Sequence, residues 1–166
     1  MGESRRTRPV GRTRVPIWAG YAACLWAAVF AAMSFYWALG GTLGLKTIGT
    51  FAQSRDATFV AMLWVTGIMK AGGGLVALAL VRPWGHRVPR PLLLGCAWAG
   101  GIGLVLYGGG NLLQHALMAA GMYSVPGAIG STTAVWGHLL FWDPWWIGGG
   151  VLFSIAAWGY TTSTRN

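Results

Sequence analysis

Four long apolar stretches, joined by short polar segments, leave this chain one economical way to fold: as helices crossing a membrane. They cover residues 17–39, 57–81, 92–116 and a last stretch that ends near residue 160. About 20 predominantly apolar residues carry a helix across bilayer hydrocarbon. Backbone amides there must be paired within the segment, which selects helices. With 55% apolar and only 9% charged residues, a soluble domain of this size would lack the polar surface to cover itself. Glycine and tryptophan are also in excess, as suits transmembrane helices and membrane interfaces respectively. The expected fold is all-α, an integral membrane bundle of four transmembrane helices over residues 17–160. A basic tail (1–16) and a short tail (161–166) flank it, leaving no room for a soluble domain.

Charge predicts the orientation. Arg5, Arg6, Arg8, Arg12 and Arg14 precede the first stretch, Arg82, Arg87 and Arg90 separate the second and third, and Arg165 follows the fourth. The opposite side holds only Lys46 and Arg55. The positive-inside rule therefore places both termini in the cytoplasm of a bacterial cell with the chain multi-pass in the inner (plasma) membrane. The Arg-rich tail lacks the aromatic interleaving of a nucleic-acid binder, and attraction to anionic headgroups accounts for it, so the expected partner is the lipid bilayer and not nucleic acid. The first apolar run is longer than a usual signal core and no clear small-residue cleavage site follows it, so it is expected to be retained.

Lys70 lies inside the second stretch, where an ionisable group costs at least about 2.5 kcal/mol and is expected to face the protein interior. Met62, Thr66, Lys70, Gly73 or Gly74, and Ala77 recur at helical spacing and form a small or polar stripe. Ala23, Ala27 and Ala31 form a second stripe, and Gly95, Ala99 and Gly103 a third. Stripes of this kind let helix backbones approach closely. Three triple-glycine runs, residues 72–74, 108–110 and 148–150, read either as kinks lining a cavity or, more simply, as tight packing. They lack phosphate-loop spacing. Cys24 and Cys96 read as small packing residues. No Cys/His spacing suggests a metal site, and no cofactor motif is present.

Polar and aromatic residues gather toward the predicted outer side. Asn111 and His115, four apart, share a helix face, with Gln114 beside them. Ser34, Tyr36 and Trp37 close the outer end of the first stretch. His138 and the run Trp142, Asp143, Pro144, Trp145, Trp146 approach or begin the fourth. Asp143-Pro144 reads first as an N-cap followed by proline at the first helical position, which would make the preceding residues, His138 included, an interfacial segment. The other reading is one longer helix from about Thr133, kinked at Pro144. The predicted pocket is bordered by Asn111, His115 and Asp143, with Tyr36 and Trp142 at its rim. Its binding residues extend to Trp37, Trp145 and Lys70. Lys70 is expected to pair with Asp143; the competing reading is a neutral lysine bonded to Tyr107 or to a carbonyl freed by the glycine runs.

Tyr36-Trp37-Ala38-Leu39-Gly40-Gly41, the second stretch bracketed by glycine and arginine, and Trp142-Asp143-Pro144-Trp145-Trp146 together resemble an uncharacterised domain-of-unknown-function family. Its members are small four-span membrane proteins common in actinobacteria. The resemblance covers roughly residues 17–160 and implies a four-helix membrane bundle; it carries over no catalytic residues.

Three function classes follow. The first is a non-enzymatic membrane protein whose outward-facing pocket binds a lipid or small apolar ligand, or docks a partner. The second is a membrane enzyme, of isomerase or cyclase type, acting on a lipid-like or isoprenoid substrate. There Asp143, His115 or His138 would move protons and tryptophan faces would stabilise positive charge. The third is a small exporter, disfavoured because the first stretch lacks a membrane-embedded carboxylate and Lys70 would repel cationic cargo.

Overall fold

A computed structural model describes residues 17–163. The five N-terminal arginines and Arg165, on which much of the charge argument rests, lie outside the described residues. Among those described, all regular structure is helical and no strand occurs. Helix α1 spans Ile17–Ala38, α2 Ala57–Ala79, α3 Arg90–Ala119, α4 Thr132–Gly137 and α5 Asp143–Ser163. A π turn, His138–Trp142, joins α4 to α5 without a break, so Thr132–Ser163 forms one rod. Among the described residues, four helices are thus long and apolar enough to span a membrane.

The helix ends are written in the sequence. Asp56 caps α2 by accepting from the Phe59 amide at 2.7 Å, and Ser131 caps α4 by accepting from Ala134 at 3.1 Å. At the end of α1, Gly40 takes a φ of +114° while the Gly41 amide donates to Tyr36 O and the Gly40 amide to Trp37 O. This is a Schellman closure, and glycine meets the positive φ without strain. Arg55 completes it, reaching the carbonyl oxygens of Gly40 (2.8 Å) and Trp37 (3.1 Å). The Tyr36–Gly41 motif is therefore a helix stop. The same closure ends α3, where Gly121 at φ +72° is followed by a Met122 amide donating to Leu117 O. That takes α3 three residues beyond the predicted boundary.

Proline decides the fourth rod. Asp143 has helical dihedrals (φ −69°, ψ −45°), so it is not an N-cap, and the longer-helix reading is correct. Pro144 has no amide to donate, and its ring crowds the carbonyl four residues back. The wide turn just before it absorbs that conflict, with the Asp143 amide donating to His138 O.

Packing runs in two pairs: α1 lies along α2, and α3 along α5, with α1 and α5 in contact between them and α2 barely meeting α3. In α1 the predicted Ala23, Ala27, Ala31 stripe is buried. A Cβ on Gly74 would sit 3.5 Å from the Ala27 Cβ. Between α3 and α5, a Cβ on Gly150 would lie 2.6 Å from Gly101 O, so the two backbones touch. The predicted ridge of Gly95, Ala99 and Gly103 is on the wrong face: all three are exposed, and nothing lies within 4 Å of a Cβ on either glycine. The inward ridge of α3 is Leu93, Ala97, Gly101 and Gly108. Helices α2, α3 and α5 run unbroken through the triple-glycine runs, which serve close packing at Gly74, Gly108, Gly149 and Gly150. Cys24 is half-buried beside Gly74, whereas Cys96 is exposed.

Candidate functional site

Where α2 and α3 part, a cavity of about 650 Å³ opens between them, backed by α1 and α5. Its wall is almost wholly apolar, with Trp26, Phe30, Trp37, Trp142 and Trp146 as its aromatic surface. Met62, Thr66, Lys70 and Gly73, predicted as a packing stripe, are instead cavity wall; only Gly74 and Ala77 of that set pack on other residues as buried groups.

Lys70 does point inward, but not to Asp143. Its Nζ donates to Ser34 Oγ at 2.7 Å and stands 3.7 Å above the Phe30 ring and 5.8 Å from that of Trp146. No ion pair joins it to an acid among the described residues. The reason is lateral: Ser34, one turn past Phe30 on α1, faces α2 and offers an oxygen first. Ring faces, negative at their centres, supply the rest of the ammonium's partners.

Asp143 belongs to a different group. It is fully buried, with Oδ2 2.8 Å from His115 Nδ1 and Oδ1 3.6 Å from His138 Nδ1. The two imidazoles stack at 4.5 Å between centroids with planes 16° apart. His138 Nε2 donates to Ile48 O at 2.8 Å, which anchors the ring to the loop between α1 and α2. The π turn makes the group possible. In an α-helix residues five apart diverge by about 140°, whereas bonds from i to i+5 set them one above the other. His138 and Asp143 are such a pair.

Among the predicted pocket residues, His115 and Asp143 come together but do not line the cavity, whereas Trp142 and Trp37 do line it and meet edge-on at 5.6 Å between centroids. Trp142 Nε1 donates to Thr47 Oγ1 at 3.0 Å, pinning the same loop. Trp145 stacks on Trp26 rather than lining the cavity. Asn111 is half-buried but is not among the cavity-lining residues, and Gln114 is exposed. Tyr36 is also exposed: its ring covers Gly41 and its Oη accepts from the Leu43 amide at 3.4 Å, a role in the helix stop. Sequence reasoning missed Ser34 as the partner of Lys70, and Thr47 and Ile48 as supports of Trp142 and His138. The five-residue spacing of His138 and Asp143 immediately before a proline was the available signal for the π turn.

Fold and site together define a class: an all-helical bundle of four long apolar helices enclosing an aromatic cavity and a His–Asp–His group around a buried aspartate. The chain belongs to the family of proteins of unknown function DUF3995, whose model matches residues 27–153. No curated protein and no solved structure matches it in the same comparisons.

Proposed function

We propose that this is a multi-pass protein of the cell membrane, both termini cytoplasmic, that holds a lipid-like amphiphile in the cavity between α2 and α3. One observation carries the reading: an apolar, aromatic cavity of about 650 Å³ with a single lysine on its wall. That volume is typical of small-molecule sites, as is an apolar lining with few polar groups. The apolar wall suits an acyl or isoprenoid chain. The Lys70 ammonium, held by Ser34 and Phe30, suits a carboxylate or phosphate head. The parting of α2 and α3 would let such a molecule enter sideways from the bilayer.

The test is mass spectrometry of lipids and metabolites that co-purify with the chain in mild detergent. Gly100 lines the cavity with nothing within 4 Å of its Cβ position, so Gly100→Phe fills the space without a backbone clash. The wild type should carry a ligand enriched over bulk lipid, Gly100→Phe should lose it, and Lys70→Met should lose anionic species selectively. Identical lipid profiles for all three proteins would refute the reading.

A second reading, an acid–base enzyme on an isoprenoid-like substrate, is supported by His138, which lies on the cavity wall and beside Asp143. It would require chemical conversion of the bound molecule, abolished in His138→Gln.

A further inference from the structure

We propose that His115, His138 and Asp143 form a binding site for a divalent transition-metal ion of the Zn²⁺ class. This goes beyond the cavity's proposed occupant and does not depend on it.

Hydrogen-bond accounting leads there. His138 donates its Nε2 proton to Ile48 O, so in the neutral ring Nδ1 carries a lone pair. That lone pair faces Asp143 Oδ1 at 3.6 Å, beyond hydrogen-bond range. Oδ1 is buried and, among the described residues, has no hydrogen-bond partner. Two electron-rich atoms thus stand 3.6 Å apart beside a fully buried carboxylate, an arrangement that a cation between them would stabilise. A second proton on His138 is the other source of positive charge. It would leave the new N–H too far from Oδ1 to bond well and would put charge in a ring stacked on His115.

The dimensions suit an ion. One ligand atom from each residue can be chosen so that all lie within 4.8 Å of one another. Metal–ligand bonds of about 2.0–2.1 Å at tetrahedral angles give ligand–ligand edges of about 3.3 Å. The two contacts run to different carboxylate oxygens, His115 Nδ1 to Oδ2 at 2.8 Å and His138 Nδ1 to Oδ1 at 3.6 Å, so one oxygen is offered to each ring, and an ion would take the place of the His115–Asp143 hydrogen bond. The bond from His138 Nε2 to a backbone carbonyl is the support that metal-bound imidazoles usually have, fixing the tautomer with Nδ1 free to bind. Two imidazoles and one carboxylate favour zinc or its neighbours over calcium or magnesium, which prefer oxygen. Of the three, His138 alone is on the cavity wall, so ion exchange and a remaining coordination position lie on that side.

The experiment uses the full chain with a histidine-free affinity tag. It is stripped with chelator in detergent and titrated with Co²⁺ and Zn²⁺. Metal content is read by elemental mass spectrometry, and cobalt coordination by its visible absorption. The wild type should retain a stoichiometric ion with the intense bands of low-coordinate cobalt. His115→Gln and Asp143→Asn should lose it, and His138→Gln should weaken it at least about tenfold. The chain's remaining histidine, His86, is exposed, and His86→Gln should bind as the wild type does. His138 is only part-buried, so its variant keeps the test decisive should Asp143→Asn fail to fold. A wild type that retains only traces, or a folded His138→Gln that binds with wild-type affinity, would overturn the proposal.

Discussion

Lys70 and Asp143 are the two ionisable groups that chain position alone would pair, and each found a different neighbour. The lysine's partners are Ser34 Oγ and the Phe30 ring; the carboxylate's are two imidazoles. Removing one partner of a buried ion pair costs about 3–5 kcal/mol, and removing both restores much of it. Among the described residues Lys70 has no such pair. Lys70→Met gives up a hydrogen bond and a ring contact while taking an ammonium out of an apolar cavity, so thermal unfolding in detergent should shift only modestly. Asp143→Asn should shift it further, because it disturbs a fully buried group. The two effects should add within about 0.5 kcal/mol, as independent sites do. Recovery in the double variant would show that the lysine does reach the aspartate.

At the scale of elements, identical-looking glycines have opposite roles. Gly95, Ala99 and Gly103 repeat every four residues, yet it is Gly101 of α3 that touches Gly150 of α5. A methyl group at Gly150 would meet Gly101 O at 2.6 Å, and that oxygen belongs to a helix backbone that cannot turn aside. Gly150→Ala should therefore destabilise by about 1–3 kcal/mol, the usual cost of overpacking. Gly103→Ala, in open space, should stay within about 0.5 kcal/mol of the wild type. Paired thermal denaturation curves in detergent distinguish them; equal effects would mean that α3 packs on a different face. The π turn is the other element-scale feature. A proline that deprives the helix of one donor sits where the extra residue rotates His138 toward Asp143, so the defect and the site share one cause.

For the whole molecule, the charge asymmetry makes a prediction that the bundle's geometry sharpens. Nine basic residues lie on one predicted side against two on the other. The turn at residues 83–87 should face the cytoplasm and the loop between α3 and α4 the outside. Gly85 is a poor place for a reporter, because a Cβ there would run into the Ala79 backbone. His86 and Tyr123 are both exposed, at opposite ends of α3. In a chain lacking Cys24 and Cys96, a membrane-impermeant thiol reagent applied to whole cells should label Tyr123→Cys and spare His86→Cys. The reverse pattern would invert the topology.

The sequence by itself determined the four helices, because run length and apolarity are local quantities that a bilayer-length helix needs and little else satisfies. It also carried the helix ends, since Asp56 and Ser131 at the starts and Gly40 and Gly121 at the stops act on amides and carbonyls within a few residues of themselves. What only the tertiary structure decided was which faces meet. Small residues are compatible with either a buried or an exposed face, so Gly95 and Gly101 could not be told apart until α5 lay against one of them. The partners of Lys70 and Asp143 were hidden for a related reason. Depth along a helix follows from counting residues, but the direction of a side chain around the axis depends on the crossing of neighbouring helices. For His138 it depends also on one wide turn that shifts the count by a residue.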